Sequence, residues 1–380
     1  MIDRRRIVEQ WKQGAARVLV TLVRTEGSSY RAPGAHLLIG PDAEYAGTIS
    51  GGCLEAEVVR KAAWMVRSGA VVERYSTLFD DTAEIPFGLG CGGIVDLLLE
   101  PAETPECGAF IEAMEASLQG EEMLVATWLP ANGRGLRRAV RGAGGEVKFR
   151  SKDLDSAELD SLEKRFRVST QLEEGLYLER LGGPLRLFVL GAGDDAAPVV
   201  TMAALLGWSV TVADGRAQLA RPERFPEADR VVRSASVAEL GIRTEDAVVI
   251  MTHSYEQDRA FLTGLLSGLP GSGEVPGYIG LLGASHRSSL LVSEAAATLG
   301  VSVAACCERI WAPVGLDLGG DGAEAIALAV VAEVQAWRQG KLALSRRLTA
   351  QRVAEQIARG GASRYLQTQC AVGAADAMGS

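Results

Sequence analysis

Two hydrophobic patterns divide this chain of 380 residues. After Pro184, short solid apolar runs alternate with stretches of helical period. LRLFVLGAG, WSVTVADGR, RVVR, AVVIMTH and GYIGLLGAS read as buried strands, and DDAAPVVTMAALLG and Ala323–Trp337 as helices. Apolar strands that alternate with helices predict a parallel, doubly wound sheet. Before Gly182 the pattern is that of an α+β domain. Arg17–Val23 reads as a strand, and AHLLIG and EYAGTI as a hairpin across the Gly40–Pro41–Asp42 turn. Leu54, Val58, Ala62 and Met65 keep helical spacing. AVVERYS and IVDLLLE are strands on either side of the glycine-rich IPFGLGCGG. Further on, MLVATWL, LRRAVR and EVKF form a meander, Asp153–Phe166 a solvated helix and GLYLERL a closing strand. The leading MIDRRRIVEQWKQG reads as a short surface helix.

The expected organisation follows. Residues 1–183 form the first domain, with a variable β-rich region at about 103–182. Residues 184–340 form the parallel-sheet domain, and 341–380 a helix followed by a mobile Gly/Ala/Ser tail. A length of 380 residues calls for at least two cores. Charged residues at 23% and a net charge of −9 describe a soluble protein with no nucleic-acid footprint. No apolar run approaches a bilayer span, and the N-terminal cations are not followed by the apolar stretch of a signal peptide. A cytoplasmic protein is expected. Its six cysteines include no CxxC pair and should stay reduced, and His36, His253 and His286 do not fall at zinc-ligand spacing with them. His36 lies inside the hairpin, which suggests a surface side chain. Cys306 and Cys307 follow VSVA, which suggests packing at a strand end.

Candidate chemistry concentrates in three glycine-rich loops. In LFVLGAGDDA, Gly191 and Gly193 stand between a strand and a helix, Ala196 takes the third glycine position, and Asp214 ends the next strand. That context is the Rossmann dinucleotide fingerprint: glycines admit a pyrophosphate and the acid meets ribose hydroxyls. Asp194 and Asp195, however, occupy the first turn of the helix and would repel an anion. A nucleotide site and a Rossmann-like domain without one both stand on these residues. Thr252 and His253 follow a strand, at the carboxyl edge where such folds bind ligands; His286 opens a helix at the same edge.

GTISGGCLE runs a glycine-rich loop into a helix, with Cys53 in the first turn. Successive backbone N–H groups there can nest an anion, and the helix dipole should lower the thiol pKa. Glu55 in the same turn partly opposes this. Cys91 stands among glycines in GLGCGG. Each cysteine could instead be a small buried residue in a tight turn. Arg24, Thr25 and Arg31 are near in sequence and could supply charge to an acidic ligand.

EGSSYRAPGAHLLI, GTISGGCLEAEV, LGCGGIVDLLLE, RLFVLGAGDDA, VTVADGR, MTHSYEQD, YIGLLGAS and PVGLDLGGDGAEAIALAVVAEV, in this order, resemble the XdhC/CoxI family. The resemblance spans the chain except for roughly 103–182 and the part after Gly340. It implies an N-terminal α+β XdhC/CoxI domain followed by a Rossmann-like domain. It further implies an accessory protein that binds the molybdenum cofactor, assists its sulfuration and inserts it into a xanthine dehydrogenase or CO dehydrogenase type of hydroxylase. Such a protein is a maturation chaperone rather than an enzyme. Its partners would be the hydroxylase apoenzyme and a cysteine desulfurase or other sulfur donor, and a homodimer would suit it.

By the same resemblance Cys53 is the family's Gly-Gly-Cys cysteine, a contact for the cofactor and its metal, since thiolate suits thiophilic metals. Ser50, Gly51, Gly52, Cys91 and Arg31 join it. Gly191, Gly193, Asp214, Thr252 and His253 form the second candidate set, for NAD(P) or another nucleotide. Ser50 departs from a run of three glycines, and Tyr30 from a proline before the arginine. The alternative function is an NAD(P)-dependent oxidoreductase working from the Rossmann domain.

Overall fold

A computed structural model describes residues 1–52, 54–76, 93–131, 133–166, 171–173, 175–269 and 271–341. Its first part is built on α1 (Ile2–Lys12), β1 (Val18–Gly27), β2 (His36–Ile39), β3 (Tyr45–Gly47), α2 (Glu55–Met65), β4 (Val71–Ser76) and β5 (Gly93–Pro101). The strands form an antiparallel sheet in the order β3-β2-β1-β5-β4. β1 explains why VLVTLV is apolar without alternation: both of its faces are covered. Val18, Val20 and Leu22 meet Leu54, Val58 and Ala62 of the α2 region, while Leu19 faces Ile7 and Val8 of α1. α1 is therefore half-buried and not a plain surface helix.

Next come α3 (Pro105–Leu118), β6 (Met123–Trp128), β7 (Arg137–Gly142), β8 (Val147–Arg150), α4 (Ser156–Arg165), β9 (Gln171–Glu173) and β10 (Leu176–Leu181). They give a second antiparallel sheet, β8-β7-β6-β10-β9. The meander and α4 match the sequence pattern. α3 does not, since it opens a region expected to be β-rich. Its signal was present in Thr104–Pro105: Thr104 caps the helix by accepting the Cys107 N–H at 3.2 Å, and proline takes the first turn.

Buried charges join the two sheets. Arg138 donates Nη1 and Nη2 to Glu100 Oε2 and Oε1, each at 2.9 Å, with both side chains 1% exposed. His36 is buried, contrary to the surface position expected of it. Its Nε2 lies 2.9 Å from Glu179 Oε1 of β10, and its Nδ1 lies 3.2 Å from Thr21 Oγ1. The hairpin face that carries it is covered by the second sheet, which its own segment cannot reveal.

The last part holds β11 (Arg186–Leu190), α5 (Ala196–Leu205), β12 (Ser209–Asp214), β13 (Arg230–Arg233), β14 (Ala247–Ile250), α6 (Tyr255–Leu266), β15 (Tyr278–Leu281), α7 (Ser285–Leu299), α8 (Val303–Cys307) and α9 (Ala323–Arg338). All strand pairs are parallel, in the order β13-β12-β11-β14-β15. One face is covered by α5 and α9, the other by α6 and α7. This is the doubly wound sheet that the alternation predicts, with its switch point between β11 and β14. Cys306 and Cys307 lie on the short helix α8, not at a strand end; the first is buried and the second exposed. A Cβ on Gly207, in the turn between α5 and β12, would stand 2.7 Å from Met1 Cβ, so α1 touches the amino edge of the parallel sheet. Among the described residues no helix is long and apolar enough to cross a membrane.

Candidate functional site

The loop between β3 and α2 is the first candidate. Gly51 and Gly52 have φ values of +87° and +112°, a conformation that favours glycine. It turns successive N–H groups inward, as the sequence suggests, and the group they meet is a carboxylate of this chain. Glu55 Oε1 accepts the N–H groups of Ile49 (2.9 Å), Ser50 (2.8 Å) and Gly51 (3.2 Å), together with Thr48 Oγ1 (2.8 Å). Glu55 Oε2 accepts the Gly52 N–H at 2.9 Å and the Ser50 hydroxyl. Ser50 Oγ in turn accepts the Leu54 N–H at 2.8 Å.

Glu55 is only 1% exposed. Burial raises its carboxyl pKa, but the hydrogen bonds from Ser50 and Thr48 outweigh it and hold the group down at about 2. The donor set is thus chemically suited to an anion, and Glu55 occupies it. Among the described residues nothing stands within 4 Å of a Cβ on Gly52, while the largely exposed Tyr30 lays its ring over Gly51. Ser50 and Tyr30, the two departures from the family pattern, both bear on this loop. Arg31 donates to Asp3 of α1 at 2.9 Å. Arg24 pairs with Glu26 at 2.7 Å. Cys53 and Cys91 lie outside the described residues.

The second candidate is the carboxyl edge of the parallel sheet. Gly191, at φ +133°, lets the chain pass β14: a Cβ there would stand 2.4 Å from Met251 O. Asp214 is fully buried at the end of β12 and accepts four hydrogen bonds. Oδ1 takes Arg216 N and Nε, both at 2.9 Å; Oδ2 takes Ala192 N at 2.9 Å and Arg216 Nη2 at 2.7 Å. Burial raises its pKa, and the bonds from Arg216 and Ala192 overcome this and lower it. Thr252 is buried as well, its hydroxyl 2.6 Å from Asp258 Oδ1. Asp258 Oδ2 lies 2.6 Å from Arg287, an ion pair without hydrogen-bond alignment.

His253 stands out on this edge. Its backbone is left-handed, at φ +59°, and its Nε2 lies 2.6 Å from Asp195 Oδ2. Asp195 folds back so that its Oδ1 would be 2.5 Å from a Cβ on Gly193. Asp194 is exposed and pairs with Arg224 at 2.6 Å; Arg224 also donates to Ala192 O. His286 is exposed at the start of α7. Glu55, Arg216 and Arg224 were absent from the sequence-predicted site. Glu55 was within reach, because a carboxylate a few residues beyond a glycine nest is a ready occupant; Arg216 and Arg224 needed the fold.

The structure brings Gly191, Gly193, Asp214, Thr252 and His253 to one edge and Ser50–Gly52 to one loop. Among the described residues no hydrogen bond or ion pair links the two, and the approach of α1 to Gly207 is at the opposite, amino edge of the sheet.

Fold and loops together define a two-part protein, an antiparallel α+β part with an internally filled glycine nest and a Rossmann-like part. Residues 10–76 match the model of the XdhC and CoxI family, and residues 187–334 that of the XdhC Rossmann domain. The chain belongs to the XdhC and CoxI family. It is 28% identical over 327 residues to a Bacillus subtilis protein named as a probable subunit of xanthine dehydrogenase, covering 83% of this chain and 92% of that one. It is 27% identical over 334 residues to the Escherichia coli molybdenum cofactor insertion chaperone PaoD, covering 87% and 86%. A solved Bacillus halodurans structure, described as a xanthine dehydrogenase, superposes with a TM-score of 0.75 at 26% identity over 91% of this chain and 98% of that one.

Proposed function

We propose that this protein is an accessory carrier that takes up the molybdenum cofactor, holds it through sulfuration, and inserts it into a molybdenum hydroxylase of the xanthine dehydrogenase type. The observation that carries the reading is the Ser50–Gly52 loop, whose N–H groups converge on a single carboxylate immediately before Cys53. The side of the loop at Gly52, clear of other described residues, is where a cargo would approach. Cys53 is the residue proposed to meet the metal, with Ser50, Gly51, Gly52, Cys91 and Arg31 around the cargo. Thiolate chemistry suits molybdenum and its sulfido ligand. The family and the names of its relatives, one a cofactor insertion chaperone and one a probable part of xanthine dehydrogenase, support the role. A hydroxylase apoenzyme and a sulfur donor complete the scheme, with a homodimer as the working form and the cytoplasm as its place.

The test is anaerobic mixing with molybdenum cofactor, gel filtration, and assay of bound molybdenum and pterin. Stoichiometric retention that falls at least tenfold in Cys53→Ala and less in Cys91→Ala is expected. No retention by the unsubstituted protein would remove the carrier role. The rival oxidoreductase needs a nicotinamide cofactor at the parallel sheet, and the geometry of that edge opposes it.

A further inference from the structure

The Rossmann fold implies a nicotinamide dinucleotide at the carboxyl edge of the sheet, and the residues of this edge do not fit one. We infer that the edge is closed to NAD(H) and NADP(H) by its own ion pairs, Asp214–Arg216 where the ribose would bind and Asp195–His253 with Asp194–Arg224 where the pyrophosphate would bind.

Ribose recognition requires an acid with a free acceptor for the sugar hydroxyls, or an arginine free to meet a 2′-phosphate. A carboxylate offers about four acceptor positions. In Asp214 four donors fill them, three from Arg216 and one from Ala192. Arg216 spends Nη2 on Asp214 and also on Thr252 O, at 2.7 Å. The two groups that would distinguish NAD from NADP are therefore bonded to each other.

Pyrophosphate recognition requires free N–H groups and bare glycine at the start of the helix. The N–H groups of Gly191, Ala192, Ala196 and Ala197 have internal acceptors, Ala213 O, Asp214 Oδ2, Gly193 O and Asp194 O, whereas among the described residues no acceptor meets those of Gly193, Asp194 and Asp195, so closure at this position rests on the Asp194 and Asp195 carboxylates. Gly193 is bare in sequence only, because the Asp195 carboxylate covers it and His253 Cδ2 would be 3.6 Å from a Cβ there. Gly191 owes its missing side chain to the backbone of Met251. The nearby basic side chains Arg224 and His253 each face a carboxylate, Asp194 and Asp195. A diphosphate would meet two negative side chains and no uncommitted positive one among these residues. This inference is independent of the carrier role, since it concerns the other half of the chain.

Fluorescence titration of the full chain with NADH and with NADPH tests it, alongside Asp194→Asn/Asp195→Asn and Asp214→Asn, each checked for an unchanged gel-filtration profile and far-UV spectrum. Expected are no saturable signal in the unsubstituted protein up to about 1 mM and a saturable one in the Asp194→Asn/Asp195→Asn variant, at least tenfold tighter than that limit. Binding to the unsubstituted protein tighter than about 100 µM would overturn the inference. A double variant as blind as its parent would overturn the assignment of closure to these carboxylates. Binding gained only in Asp214→Asn would leave the ribose position as the seat of closure and overturn the pyrophosphate part.

Discussion

The two glycine-rich loops, Gly47–Gly52 and Gly191–Gly193, look alike in sequence: each leaves a strand, turns on glycines and enters a helix. In the folded protein each loop meets carboxylates of its own chain, by opposite means. In the first, Glu55 takes the donors, within seven residues of every one, as one compact motif. In the second, the carboxylates pair with side chains of distant segments: Asp195 and His253 are 58 positions apart, Asp194 and Arg224 are 30. The first loop depends on its own segment alone, the second on pairs that only the whole fold brings together.

The largest effect is expected in the local case. Glu55→Ala strands four backbone N–H groups, that of buried Ile49 among them, and should cost about 2 kcal/mol or more, read from urea denaturation. Glu55→Gln, which keeps one acceptor oxygen, should cost clearly less; equal losses would show that the carboxylate's charge and second oxygen carry the loop.

Acid titration sharpens this. The Glu55 pKa is depressed from 4.5 to about 2, so its contribution is fully present above pH 4.5 and is lost as pH falls through about 2. The contribution is at most about 3 kcal/mol. Between pH 5 and 2 the parent should lose stability more steeply than Glu55→Gln, and parallel curves would refute the role.

The smallest effect belongs to the second loop. Asp195→Asn breaks a pair whose histidine is 61% exposed and should shift stability by less than about 1 kcal/mol. A larger loss would mean that this pair holds the edge together as Glu55 holds the other loop.

Sequence patterning recovered what is local. Solid apolar runs gave the parallel sheet, and short runs joined by turn residues gave the hairpin of the first sheet and the meander of the second. It recovered the glycine-rich loop at the end of a strand in each half. It missed what depends on distant partners: His36 is buried by Glu179, 143 positions away, and Asp214 is consumed by an arginine whose direction only the fold fixes. α3 was missed for a different reason, a cap signal at Thr104–Pro105 that was readable and outweighed by the β-rich run after it.

The Glu100–Arg138 pair bears on how such a chain can change over generations. Glu100 comes from the sheet that carries the first matched family region, and Arg138 from the stretch between the two matched regions. Removing one member of a buried pair costs about 3–5 kcal/mol, because the other is left charged and dry. The middle sheet therefore cannot be exchanged like a cassette: any replacement must bring its own cation to Glu100, or arrive together with an apolar residue in its place. Divergence in this part of the protein should proceed by coupled pairs of substitutions.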